Sequence, residues 1–174
     1  MSFRDDMKLE HKWREPIKQA LAAHFGCDPQ DFIRNHTLDL FGSADLVLGR
    51  TEDRPQMRIP LRVRRGAYLK YYSDEFTLRL SRPDGRATEW EKVKAVVAAG
   101  KEVRAVYAIE TVNGTGISVA HFIDLNTLVK SGEINRYTTK QNDDGSSEFA
   151  CFKLTQAPHS VMIVEAYEED ACLK

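Results

Sequence analysis

Residues 58–65 read RIPLRVRR, and within that run Ile59, Leu61 and Val63 alternate with Arg58, Arg62 and Arg64. A repeat of two is the side-chain period of a β-strand, so one face of the segment is apolar and the other carries guanidinium groups. A helix would scatter the same residues around its axis. A chain with such a strand needs a core for one face. For the three charges on the other it needs counter-charges, water or an anionic ligand.

The rest of the sequence supplies elements for that core. Leu9, Trp13, Ile17 and Leu21 fall four apart and draw one apolar stripe on an N-terminal helix. Pro16 either kinks this helix or stands in the first turn of a shorter one, and Gly26 is its expected stop. Strands are predicted over 44–50 and 76–82, the latter with Phe76, Leu78 and Leu80 on one face. Pro83-Asp84-Gly85 then forms a turn, and a helix over 88–99 carries Trp90, Val93 and Val97 on one side ahead of Gly100. Two hairpins are predicted, 104–111 with 117–125 across Asn113-Gly114, and 135–141 with 147–154 across Asp143-Asp144-Gly145. A short helix is expected over 125–130 and a last strand over 160–167. The expected fold is α/β or α+β: one domain over 1–174, with a central mixed sheet, flanking helices, C-terminal β-hairpin additions and an acidic tail from about residue 168.

Composition narrows the function classes. Hydrophobic residues make up 42% and charged residues 29% of the 174, the balance of a globular chain rather than a disordered one. The net charge is −1, so any attraction to nucleic acid has to come from a local patch. Such a patch exists: Arg58, Arg62, Arg64, Arg65 and Lys70 fall within 58–72 with no acid among them, interleaved with Tyr68, Tyr71 and Tyr72. Cys27, Cys151 and Cys172 are odd in number and widely spaced, which argues against a disulfide framework and fits a reducing compartment. The N-terminal MSFRDDMKLEHKWRE has no apolar run and is not expected to be a signal peptide. No stretch of about 18 apolar residues exists to cross a membrane. A cytoplasmic protein without a membrane partner is expected.

The order helix, strand, strand, strand, helix, strand, with Asp45 in GSADLVL and the triplet Arg62-Val63-Arg64 in IPLRVRR, resembles the core of the restriction-endonuclease-like, or PD-(D/E)XK, nuclease superfamily. The stretch YLKYYSDEFTLR and the helix start TEWEKV are similar to phage-encoded members. The resemblance covers roughly residues 5–125. It implies a nuclease-like domain in which carboxylates on adjacent strands hold magnesium or manganese for phosphodiester hydrolysis. On that reading Asp45 is the metal ligand. Arg62 and Arg64 stand where the family has its acid and its lysine. A guanidinium does not ligate a metal, so the partner carboxylate is sought in Glu89 or Glu91, or in Glu10 or Glu15 of the first helix. Arg62, Arg64, Arg65, Lys70, Tyr71 and Arg79 are the expected contacts to DNA or RNA.

Each of these features has a plainer reading. Asp45, Arg62, Arg64 and Arg79 can neutralise one another on a sheet face. The basic stretch can be a solvated edge strand, and Thr88-Glu89-Trp90-Glu91 can be a helix cap. The five histidines have no ligand spacing. Gly114 and Gly116 lie between two strands, where a hairpin rather than a phosphate loop is expected. A catalytically inactive nuclease-fold protein that binds a protein partner, as an inhibitor or assembly module, is the alternative function.

Overall fold

The computed structural model of the chain describes residues 3–34, 46–49, 56–155 and 160–165. The N-terminal helix α1 spans Phe3–Phe25 and runs through Pro16 rather than starting there. Leu9, Trp13, Ile17 and Leu21 are all buried, so one continuous apolar stripe spans the proline and offsets the hydrogen bond it removes. Strands β1 (Phe32–Arg34), β2 (Leu46–Leu48) and β3 (Met57–Ile59) form an antiparallel meander. The single strand expected over 58–65 is two, β3 and β4 (Leu61–Arg64), divided by Pro60, which has no N–H to give to a ladder. Arg58, expected on a half-exposed face, is buried because β3 lies between β2 and β6.

After β4 the chain passes through a 3-10 turn, Gly66–Tyr68, and one helical turn, α2 (Leu69–Tyr72), into β5 (Glu75–Arg79). Helix α3 (Glu89–Ala98) leads to β6 (Glu102–Glu110), and Gly100 takes the left-handed conformation, φ 72°, that ends the helix. β6 runs parallel to both β3 and β4, then antiparallel to β7 (Ile117–Asp124). Helix α4 (Leu125–Ser131), hairpin β8 (Thr138–Gln141) with β9 (Glu148–Lys153), and β10 (Ser160–Glu165) complete the described chain. The result is α+β, with a seven-stranded mixed sheet ordered β1-β2-β3-β6-β7-β10, β4 also pairing with β6, and a second sheet ordered β5-β9-β8. β5 therefore joins the C-terminal hairpin and not the central sheet.

Strand β6 explains how the layers are built. Its Val106 and Ala108 face α1 together with Leu46, Ile59, Leu61, Val63 and Phe122. Its Val103, Ala105, Tyr107 and Ile109 face the opposite way, onto α3, α4 and the second sheet through Val93, Leu125, Phe76 and Phe152. A strand covered on both faces is apolar at nearly every position, as β6 is. Helix α1 is anchored to the end of β6 by the Trp13 indole N–H, which donates to the buried Glu110 carboxylate at 2.9 Å. Lys12 Nζ donates to the Gly114 carbonyl at 2.6 Å. Among the described residues, no helix is long and apolar enough to cross a membrane.

Candidate nucleic-acid interface

On β4 the two-residue period is realised. Leu61 and Val63 enter the core, while Arg62 and Arg64 share the other, half-buried face. Their environments differ sharply. Arg62 reaches the first residue of α3, where its Nη2 donates to Glu89 Oε1 at 2.5 Å, and its Nη1 donates to the Thr77 carbonyl at 2.7 Å. The other oxygen of Glu89 accepts the Arg79 backbone N–H at 3.0 Å. Burial pushes the Glu89 carboxyl upward, but the charge and hydrogen bond of Arg62, with the amide and charge of Arg79, outweigh it. The carboxyl is held below its usual range. Glu89 is thus an ionised carboxylate paired with a half-buried guanidinium. Arg62 is in a salt bridge, but with Glu89, a residue outside the expected set of Asp45, Arg62, Arg64 and Arg79.

Glu91 is a capping residue. Its Oε2 accepts the Thr88 N–H at 2.8 Å, and the Thr88 hydroxyl accepts the Glu91 N–H at 3.2 Å, closing a reciprocal box at the start of α3. Thr88→Ala should therefore lower stability by about 1 kcal/mol, measured by urea unfolding. It should leave the nucleic-acid affinity discussed below unchanged. Of the α1 candidates, Glu15 is exposed and within 3.5 Å of Lys18 Nζ, and Glu10 is buried. Asp45 lies outside the described residues.

Magnesium and manganese need several oxygen ligands converging on one point. Here the Arg62 guanidinium fills the place beside Glu89, and Glu91 is turned to its cap. Among the described residues, no group of three or more His, Cys, Asp or Glu is placed to hold a metal ion.

Arg64 points elsewhere, into a cleft of about 280 Å³ between the 66–72 segment and the second sheet. Tyr68 and Tyr72 line one side, with Arg64 5.7 Å from the Tyr68 ring centroid and the two rings 5.7 Å apart. Thr77, Lys140, Gln141, Phe149, Glu75, Tyr107 and Cys151 complete its lining. Glu75 is buried, and its two oxygens accept from Lys140 Nζ at 2.9 and 2.7 Å. The Tyr107 hydroxyl donates to the Tyr72 carbonyl at 3.1 Å, and its burial pushes its pKa up to about 12, so it stays a neutral donor. Burial likewise raises the Cys151 thiol, which keeps it protonated and unreactive.

The sequence-predicted contacts divide around this cleft. Arg64 lines it. Arg65, Lys70 and Tyr71 are exposed on the adjoining turn and helix, with Lys70 Nζ 5.3 Å from the Tyr71 ring centroid. Arg79 sits at the far end of β5 over the Phe149 ring, at 5.2 Å. Sequence reasoning missed Glu75, Tyr107 and Lys140. Lys140 is 65 residues from Glu75 along the chain, and nothing in TTKQ marks its lysine as a partner. Compared with protein-family models, with curated proteins and with solved structures, the chain matches none.

Proposed function

We propose that this domain binds single-stranded nucleic acid along the cleft between the 66–72 segment and the second sheet. One observation carries the reading: Arg64, Tyr68 and Tyr72 line one cleft, and Arg65, Lys70 and Tyr71 are exposed on the same 64–72 stretch of chain. Guanidinium and ammonium groups pair with phosphates, and tyrosine rings offer stacking faces to bases of any sequence. Stacking needs unpaired bases, and a cleft of about 280 Å³ does not admit a duplex. Because the whole chain carries a charge of only −1, the attraction is local and short-ranged. Arg62 is not part of this surface, since its charge is met by Glu89.

The test uses labelled single- and double-stranded DNA and RNA, with magnesium or manganese and with EDTA. Both retention and strand scission are measured. Single strands should bind with or without metal and more tightly than duplexes. Tyr72→Ala should weaken binding by roughly ten-fold, and Arg64→Gln by a similar factor. Equal affinity in both variants and the parent would remove the cleft from the account. Metal-dependent scission that disappears in Asp45→Ala would instead assign a hydrolytic site at Asp45.

A further inference from the structure

Arginine is in excess where β5 ends and the chain turns toward α3. The guanidinium groups of Arg62, Arg79, Arg82 and Arg86 share this corner with two carboxylates, those of Glu89 and Asp84. Both carboxylates are engaged. Glu89 holds Arg62 and the Arg79 backbone N–H. Asp84 lies 2.9 Å from Arg86 Nε and accepts the Arg86 backbone N–H at 3.1 Å. Arg79 and Arg82 are left over. The Nε–H of each is buried and has no acceptor among the described residues. A buried donor without a partner is costly, more so when it carries charge. Burial pushes the Arg79 pKa down; Glu89 offsets part of this, and the charges of Arg82 and Arg62 push it down further. The guanidinium stays charged at any working pH, so the repulsion is present throughout.

We propose that Arg79 and Arg82 form a binding site for a phosphate group at the end of β5, separate from the cleft. Both side chains are held before a ligand arrives. The Arg79 guanidinium carbon lies 5.2 Å from the Phe149 ring centroid, and Pro83 restricts the Arg82 backbone to extended conformations. Both are half-buried, so part of each side chain remains open to a ligand. A carboxylate has one pair of oxygens, which a single guanidinium fork fills. A phosphate has several oxygens in a tetrahedral arrangement and more charge, so two forks can share it and both excess charges are met. The group can belong to a nucleic-acid backbone or to a small phosphate ester, since the recognition is the same. The site does not depend on the cleft reading, although Phe149 also lines the cleft and makes the two neighbours.

The experiment follows the arginine Nε–H signals of the nitrogen-15-labelled protein by NMR. Inorganic phosphate is titrated against chloride at equal ionic strength, and pentathymidylate is titrated separately. Phosphate, and not chloride, should shift the Arg79 and Arg82 signals to saturation. Arg82→Gln should weaken the phosphate response at Arg79 by at least about ten-fold. Arg82→Lys keeps the charge without the fork and should recover only part of that loss. In chloride, Arg82→Gln should unfold at the same urea concentration as the parent or a higher one, because a repulsion is removed. Lower stability there would make Arg82 a structural group and overturn the proposal. Pentathymidylate shifting the same two signals would place a backbone phosphate in the site. A response to inorganic phosphate alone would assign the site to a small ester, and the site stands in either case. Unchanged oligomer affinity in Tyr72→Ala would remove the cleft reading and leave these shifts in place. No shift with either probe, the same shift with chloride, or equal phosphate affinity in Arg82→Gln and the parent would overturn the site.

Discussion

Glu89→Ala is expected to lower the free energy of unfolding by about 3–5 kcal/mol, because it removes the buried carboxylate that meets the half-buried Arg62 guanidinium. The Arg62 side chain is 12% exposed and that of Glu89 6%, so solvent cannot take over the lost interaction. The same substitution also removes the acceptor for the Arg79 amide. Arg62→Leu with Glu89→Leu should restore most of the loss, since an apolar pair of similar volume has no charge to desolvate. The pair also sets a pH dependence. The folded-state pKa of Glu89 lies below its unfolded value, so the folded protein binds this proton less readily than the unfolded chain. The stabilisation is complete above the ordinary glutamate range, about 4.3, and is lost as pH falls through the lower folded-state value. Urea unfolding of parent, single and double variants at neutral and acidic pH checks this. The parent should lose stability to acid more steeply than the double-leucine variant. A Glu89→Ala cost below about 1 kcal/mol would place the pair among surface ion pairs.

Gly66→Ala should be similarly damaging for a different reason. A Cβ at this position would sit 2.5 Å from Val112 Cα and closer still to the Thr111 carbonyl. Those atoms are backbone at the end of β6, so no rotamer change relieves the overlap. The cost should be about 3 kcal/mol, at the upper end of overpacking substitutions. Calorimetry would read it as a fall in Tm of roughly 5 °C or more. Because Gly66 opens the turn that carries Tyr68 and leads to Tyr72, the same substitution should displace the cleft wall and weaken oligomer binding. Gly100→Ala, at a helix end with open space around it, should be milder and should leave binding alone.

What the sequence made legible follows from the range of the forces involved. The arginine face of β4, the stop of α3 at Gly100 and both hairpins are local, written in alternation and turn chemistry. The basic and aromatic run from Arg64 to Tyr72 was visible for the same reason. Pro60 was visible too, but its effect depended on β3 lying inside the sheet, and that is tertiary. The choice of partner for Arg62 was not legible. Glu89 is 27 residues away on another element, and only the tertiary packing of α3 brings it to β4. The departure of β5 into the second sheet is likewise invisible in its own residues. FTLR alternates equally well in either sheet, and its pairing with β9 is decided by contacts more than 70 residues apart, as between Thr77 and Cys151.

The most direct test of the account is the salt dependence of single-strand binding. If Arg64, Arg65 and Lys70 neutralise phosphates, log K should fall with log salt concentration with a slope of about −2, near −0.7 for each contact. Lys70→Gln should reduce that slope by one such contact. An affinity that stays flat from low to moderate salt, or no affinity at all, would contradict the account.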